Sequence, residues 1–206
     1  MASDSQLNKG LTLYGAGGHC KVVLDIIESV GKKAERVHDD NPKGDSFMGL
    51  PSSTPQGVYE EAIITIGNCR IRKKIAERII TNSFPVVIHP SATVSRCSSI
   101  GEGTVVMQGG IIQAGSFIGK HCIINTNASV DHDCKLADFV HIASGATLCG
   151  EVEIGECSWI GAGAVVIQGI RIGSNCMVGA GAVIIRDIPD NAVVVGNPGR
   201  IIRYQQ

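Results

Sequence analysis

A chain of 206 residues is long enough to bury roughly 70% of its unfolded surface, as one large domain or two small ones. With 18 Lys+Arg against 19 Asp+Glu and a pI near 6.6, it lacks the electrostatic footprint of a nucleic-acid or anionic-membrane partner. No apolar run approaches the roughly 20 residues that span a bilayer, and the polar opening Met1 to Gly10 has no secretory core, so a soluble, cytoplasmic protein is expected.

In chain order, Leu11 to Tyr14 reads as a strand and Gly15-Ala-Gly-Gly-His19 as a turn, followed by Val22, Val23, Ile26, Ile27 and Val30 at helical spacing. Val37 leads to Asp39-Asp40, Ala62 to Ile66 is a second apolar run closed by Gly67, and an Arg/Lys-rich helix is expected from about Ile71 to Ile80. Strand, glycine turn, helix, strand and acid open a parallel α/β unit of the Rossmann-like kind. The glycine run half-matches G-x-G-x-x-G, with Cys20 in the sixth position. It reads either as a tight turn or as a cradle of amides at a helix N-terminus. Asp39 and Asp40 stand where an acid could take ribose hydroxyls, and so short a unit suits part of a nucleotide better than a whole dinucleotide.

A different order begins near residue 87. Every sixth residue from Ile88 to Ile184 is aliphatic, 17 positions without a break. Two residues before most of them lies a small side chain, among them Ala92, Thr104, Ser116, Ala128, Ala146, Ser158 and Ala182. Residues two apart share a face of extended backbone, so each hexad is a short strand pointing one large and one small side chain inward. The turns carry Gly103, Gly109, Gly115, Asn127, Gly145, Gly163, Gly169, Asn175 and Gly181, which tolerate positive φ. Three such sides close a coil of 18 residues, and the spacing leaves the hand of the coil open. Residues 1–86 and 87–206 are thus expected to form two domains. The charge balance agrees: 21 of the first 87 residues are charged, against 16 of the remaining 119. The eight cysteines include no C-x-x-C pair and read as small apolar fillers, Cys122, Cys134 and Cys176 in the inward column.

Units such as Ile154-Gly-Glu-Cys-Ser-Trp159 and Ile160-Gly-Ala-Gly-Ala-Val165, with the closing Val195-Gly-Asn-Pro-Gly-Arg200, resemble the hexapeptide-repeat acyltransferases. That resemblance implies a left-handed parallel β-helix assembled as a homotrimer. Together with Tyr14-Gly-Ala-Gly-Gly-His19, Asp39-Asp40, Ile66-Gly-Asn-Cys-Arg-Ile-Arg-Lys-Lys74 and Asp131-His-Asp-Cys134, it narrows to the UDP-4-amino-sugar N-acetyltransferases of the bacillosamine pathway and their sialic acid O-acetyltransferase-like relatives. The resemblance implies acetyl-CoA as co-substrate, a UDP-sugar held by Gly17, Gly18, His19, Asp39, Asp40 and Gly67, and acetyl-CoA contacts at His141, Ala162 and Ala180.

His132 is expected on the outside of the coil between Asp131 and Asp133, where a carboxylate orients the ring and raises its basicity. With the resemblance it becomes the general base, Asp133 its orienting partner. Asn125 reads either as a turn amide or as a donor to the thioester carbonyl. His38 and His121 are expected at the surface, and His89, before Pro90, in a structural role. Cys134 faces inward and is a poor nucleophile. A zinc hydratase on the same helix needs three converging histidines, and the paired H-x-x-x-x-H of the γ-class carbonic anhydrases is missing. O-acetylation of a sugar hydroxyl and a non-catalytic nucleotide-binding trimer are the other readings. Outward Val105, Ile111, Ile123, Val165 and Val183 would leave large apolar patches on a monomer, which also points to an oligomer.

Overall fold

The structure, a computed structural model, describes residues 7–205. The first part is a sheet of six strands, β1 (Leu7–Tyr14), β2 (Ala34–His38), β3 (Ser46–Phe47), β4 (Leu50–Ser53), β5 (Val58–Ile64) and β6 (Thr81–Ser83), in the order β3-β4-β2-β1-β5-β6. All neighbours run parallel except the β3–β4 hairpin. Helix α1 (Gly18–Ser29) follows β1, and α2 (Cys69–Arg78) follows β5, starting two residues earlier than the sequence suggests. The cause is Asn68, whose side chain accepts the Ile71 amide and caps the helix. Val23, Ile26 and Ile27 of α1 are fully buried, as the apolar spacing requires.

From Val87–Ile88 onward the chain is a parallel β-helix of two-residue strands. Val105 pairs with Ile123, Ile123 with His141 and His141 with Trp159, so each coil is 18 residues, as the hexads predict. Its strands form three sheets, called here by one member each: the Ile123–Ile124 sheet, the Ser129–Val130 sheet and the Lys135–Leu136 sheet. The aliphatic column and Cys122, Cys134 and Cys176 fill the interior. The left-handed backbone turn recurs every six residues from Gly103 to Gly181, and Asp133 (φ 58) occupies it where most of the column is glycine or asparagine. Asp tolerates this region because its short carboxylate bonds locally. The final strand, Arg200–Tyr204, turns back antiparallel on Ala192–Val195.

Two expectations are corrected here. Val105 and Ile123 are not open to a partner: they are 1% exposed because Leu11, Val23 and Ile27 of the α/β part pack against that sheet. His38 and His121 are buried rather than at the surface, each 4% exposed. His38 Nδ1 meets the Tyr59 hydroxyl at 3.0 Å, and the His121 ring stacks on Phe139 with Phe84 at its edge. A turn position lies outside the coil, but here the coil's outside is itself covered by the first part of the chain. Among the described residues no helix is long and apolar enough to cross a membrane.

Candidate active site

The corner after Ser129–Val130 carries Asp131, His132 and Asp133. His132 Nδ1 lies 2.9 Å from Asp133 Oδ2. A carboxylate only accepts, so Nδ1 is the donor, and the neutral ring carries its lone pair on Nε2. The left-handed turn at Asp133 folds its carboxylate back toward the preceding ring. The Asp133 hydrogen bond, with the charge of Asp131 behind it, raises the affinity of His132 for a proton. Both side chains are more than half exposed, so the pair is open to a substrate. Cys134, two residues on, is fully buried, and burial pushes its thiol up, away from the thiolate a nucleophile needs.

Asn125 does not share this corner. It lies on the corner between the Ile123–Ile124 and Ser129–Val130 sheets, where its Nδ2 is 3.1 Å from His141 Nε2 and its Oδ1 accepts the Thr126 amide. Ala162 and Ala180 lie on that same corner and border an apolar groove of about 410 Å³ with Ala143, Trp159 and Met177. His141 stands behind the groove, 4% exposed, its ring 4.2 Å from that of Trp159. Both of its nitrogens are engaged, Nδ1 with the Gly67 carbonyl at 3.1 Å. Burial, then the nearby Arg72 charge, holds His141 down to about 3, so its ring is neutral.

The glycine turn opens the first part of the chain. Gly15 (φ 115) is required by close approach, since a Cβ there would meet Ile66. Gly17 and Gly18 face open space and border a cleft of about 360 Å³ with Lys21 and Lys43, at the uncapped start of α1. That combination suits an anion. Asp39 braces the turn rather than facing the cleft, Oδ2 accepting the Ala16 amide and Oδ1 that of Asn41. Asp40 accepts the Tyr14 hydroxyl at 2.6 Å and pairs with Arg78, bordering a second cleft of about 320 Å³ with Tyr59. His19 sits behind the turn with a buried, unpartnered Nε2, 6.4 Å from the His141 ring. Burial and Arg72 hold it down to about 4.

The residue that sequence reasoning overlooks is Arg72. It is 1% exposed and donates to four backbone carbonyls: Nε to His121, one terminal nitrogen to Ile66 and Gly67, the other to Phe139. It rivets α2 to the β-helix. The signal was present: Cys69, Arg72 and Ile75 recur every three residues on the buried face of a helix otherwise rich in exposed charge. Among the described residues, no group of three or more His, Cys, Asp or Glu side chains is placed to hold a metal ion.

Residues 10–79 match the PglD N-terminal domain and residues 151–186 the bacterial transferase hexapeptide repeats. A UDP-N-acetylbacillosamine N-acetyltransferase of Bacillus subtilis is 42% identical over 113 residues, 48% of this chain and 51% of that protein; the matched stretch thus spans about half the length of that curated relative. Among solved structures, the acetyltransferase domain of PglB from Neisseria gonorrhoeae is 40% identical with a TM-score of 0.85, covering 95% of this chain and all of that one. PerB from Caulobacter crescentus, in complex with CoA and GDP-perosamine, is 37% identical with a TM-score of 0.88, over 94% of this chain and 97% of that one. Likeness of this degree from end to end, through an α/β part and a hexapeptide β-helix in the same order, means that the chain belongs to the family of PglD-type hexapeptide-repeat sugar N-acetyltransferases.

Proposed function

We propose that this protein transfers the acetyl group of acetyl-CoA to the amine of a UDP-linked 4-amino sugar, with His132 as general base. The observation that carries the reading is the exposed His132–Asp133 pair, whose bonded Nδ1 leaves Nε2 free to accept a proton. A sugar ammonium has no lone pair with which to attack, so the acceptor reacts as the neutral amine, its extra proton already given up to solvent. A positioned imidazole of suitable basicity takes the proton that the nitrogen sheds as it forms the new bond. The amine nitrogen then adds to the thioester carbonyl, forming the C–N bond. Its proton passes to Nε2, and collapse of the tetrahedral oxyanion breaks the C–S bond, the thiolate leaving with the proton from His132. Asp133 stabilises the imidazolium that forms in between.

In this reading residues 1–86 are a Rossmann-like domain for the nucleotide and residues 87–206 a left-handed β-helix for acetyl transfer, in a cytoplasmic enzyme. The cleft of Gly17, Gly18, Lys21 and Lys43 takes the phosphates, and Asp40 beside Tyr14 takes polar groups of the nucleoside. The apolar groove at Ala162 and Ala180 takes the acetyl-CoA chain, with His141 supporting its Trp159 wall. Groove and base occupy the two corners that flank the Ser129–Val130 sheet. A homotrimer built on that sheet, whose outward Ile111, Val165 and Val183 are half-buried in the single chain, joins the base corner of one subunit to the groove corner of the next. The support for acetyl-CoA and a nucleotide amino sugar is that PerB is solved with CoA and GDP-perosamine.

The test is CoA release with acetyl-CoA and a panel of UDP- and GDP-linked amino sugars, for wild type and His132→Ala. The expected result is turnover with a UDP-4-amino sugar and a loss of roughly 10²–10⁴ in kcat for the variant, with little change in either KM. Turnover with the GDP sugar alone overturns the acceptor, and wild-type kcat in His132→Ala overturns the base.

A further inference from the structure

His132 is exposed, so burial does not fix its ring, yet a general base acts only when its free nitrogen is aimed. One edge is held by Asp133 through Nδ1. The other edge lies against Gly150, one coil further along. A Cβ built on Gly150 would stand 2.5 Å from Cε1 and 2.6 Å from Nε2 of His132, well inside van der Waals contact. The backbone does not ask for glycine there. Gly150 is absent from the left-handed positions, which fall one residue later in each turn, at Asp133 and Glu151. Gly150 is buried, and its carbonyl accepts the Gly169 amide as any residue's would. The space that a side chain would fill is occupied by the imidazole.

We infer that Gly150 is a positioning residue for the acetyl transfer: its missing side chain is the seat on which the His132 ring lies, Asp133 holding the opposite edge. The inference rests on the reading of His132 as base. It makes a two-sided clamp of a segment where only the Asp-His-Asp triplet stands out in the sequence. The atoms that a Gly150 methyl would meet belong to an exposed ring free to swing outward, so the substitution costs little stability and its effect falls on the direction of Nε2.

The test is Gly150→Ala, read by steady-state kinetics, thermal unfolding and NMR titration of the His132 ring. A displacement near 1 Å predicts a kcat lower by about 10- to 100-fold with both KM values nearly unchanged. As Nδ1 parts from Asp133, the His132 titration moves down toward the ordinary value of about 6.5. Should Gly150→Ala unfold more readily than wild type, His132→Ala/Gly150→Ala must be as stable as His132→Ala alone, because the clash vanishes with the ring. Wild-type kcat together with an unmoved His132 titration overturns the inference, as does a double variant as unstable as Gly150→Ala. The NMR readout separates the two ideas: a moved titration with full activity in His132→Ala keeps the seat and discards the base.

Discussion

The imidazole of His141 stands 3.1 Å from the carbonyl of Gly67, a residue 74 positions earlier that closes the second apolar run of the α/β part. The carbonyl only accepts, so Nδ1 carries the proton and Nε2 accepts from Asn125 Nδ2. A single neutral ring thus ties the turn after β5 in the α/β part to the corner that borders the apolar groove. Asn125→Ala should remove the donor to His141 without touching His132. The expected result is a raised KM for acetyl-CoA, with kcat reduced far less than in His132→Ala; an equal loss of kcat in both would make Asn125 a participant in the chemical step.

Arg72 ties the same two parts: of its four bonds to carbonyl oxygens, those to His121 and Phe139 reach the β-helix and those to Ile66 and Gly67 stay in the α/β part, inside a shell that holds His19, His121 and His141. Arg72→Met leaves those buried carbonyls short of a donor and should destabilise the fold by about 2–4 kcal/mol, seen as an earlier urea midpoint. A variant as stable as wild type would show that water or a neighbour replaces the guanidinium.

The three histidines make stability depend on pH. Burial first and Arg72 second hold His19 and His121 down to about 4 and His141 to about 3. In the unfolded chain each binds its proton near the ordinary value of about 6.5. Between those values the unfolded state binds more protons, so stability rises with pH. The contribution is complete above about 6.5 and is lost as pH falls through about 4 for His19 and His121 and about 3 for His141. Denaturation curves at stepped pH should show this slope, and His121→Phe, which keeps the stacked ring, should flatten part of it. An unchanged slope in His121→Phe would remove His121 from the groups that carry the acid sensitivity.

The β-helix was legible because its rule is local: each hexad sets its own inward pair, and the register of Val105 on Ile123 follows from the 18-residue count. The His132–Asp133 pair was legible for the same reason, since its geometry needs only adjacent residues and one turn. Whatever depends on how the two parts meet was not. His121 sits in the turn column, which faces solvent in a bare coil, and is buried only because Phe84 and α2 lie over it. Val105 and Ile123 fall in an outward column indistinguishable from Ile111 and Val165 until α1 covers one of the two sheets. Asn125 is near His132 in sequence but on another corner of the triangle.

Cys134 follows His132 closely enough to suggest a covalent acetyl-enzyme. Its sulfur instead lies 3.2 Å from the Cys149 carbonyl inside the coil, and burial keeps it protonated. Cys134→Ala should retain most of the activity, at a stability cost of about 1 kcal/mol for the small cavity. Burst-phase release of one CoA per subunit in the absence of acceptor would revive the covalent route.

The assembly can be tested through the site itself. If the base of one subunit works on acetyl-CoA held in its neighbour's groove, His132→Ala and a groove-blocking Ala162→Trp are defects on opposite sides of one interface. Each homotrimer should be inactive, because every interface lacks either the base or the groove. When the two are unfolded together in equal amounts and refolded, an interface recovers both intact halves only where an Ala162→Trp subunit lends its His132 to the groove of a His132→Ala neighbour. Random mixing gives that arrangement at about a quarter of interfaces, so about a quarter of wild-type activity should return. Were base and groove to act within one chain, no mixture could restore a complete site. Activity in the mixture near the sum of the separate variants would therefore exclude the shared site, and sedimentation equilibrium of the same sample would show whether a trimer had formed at all.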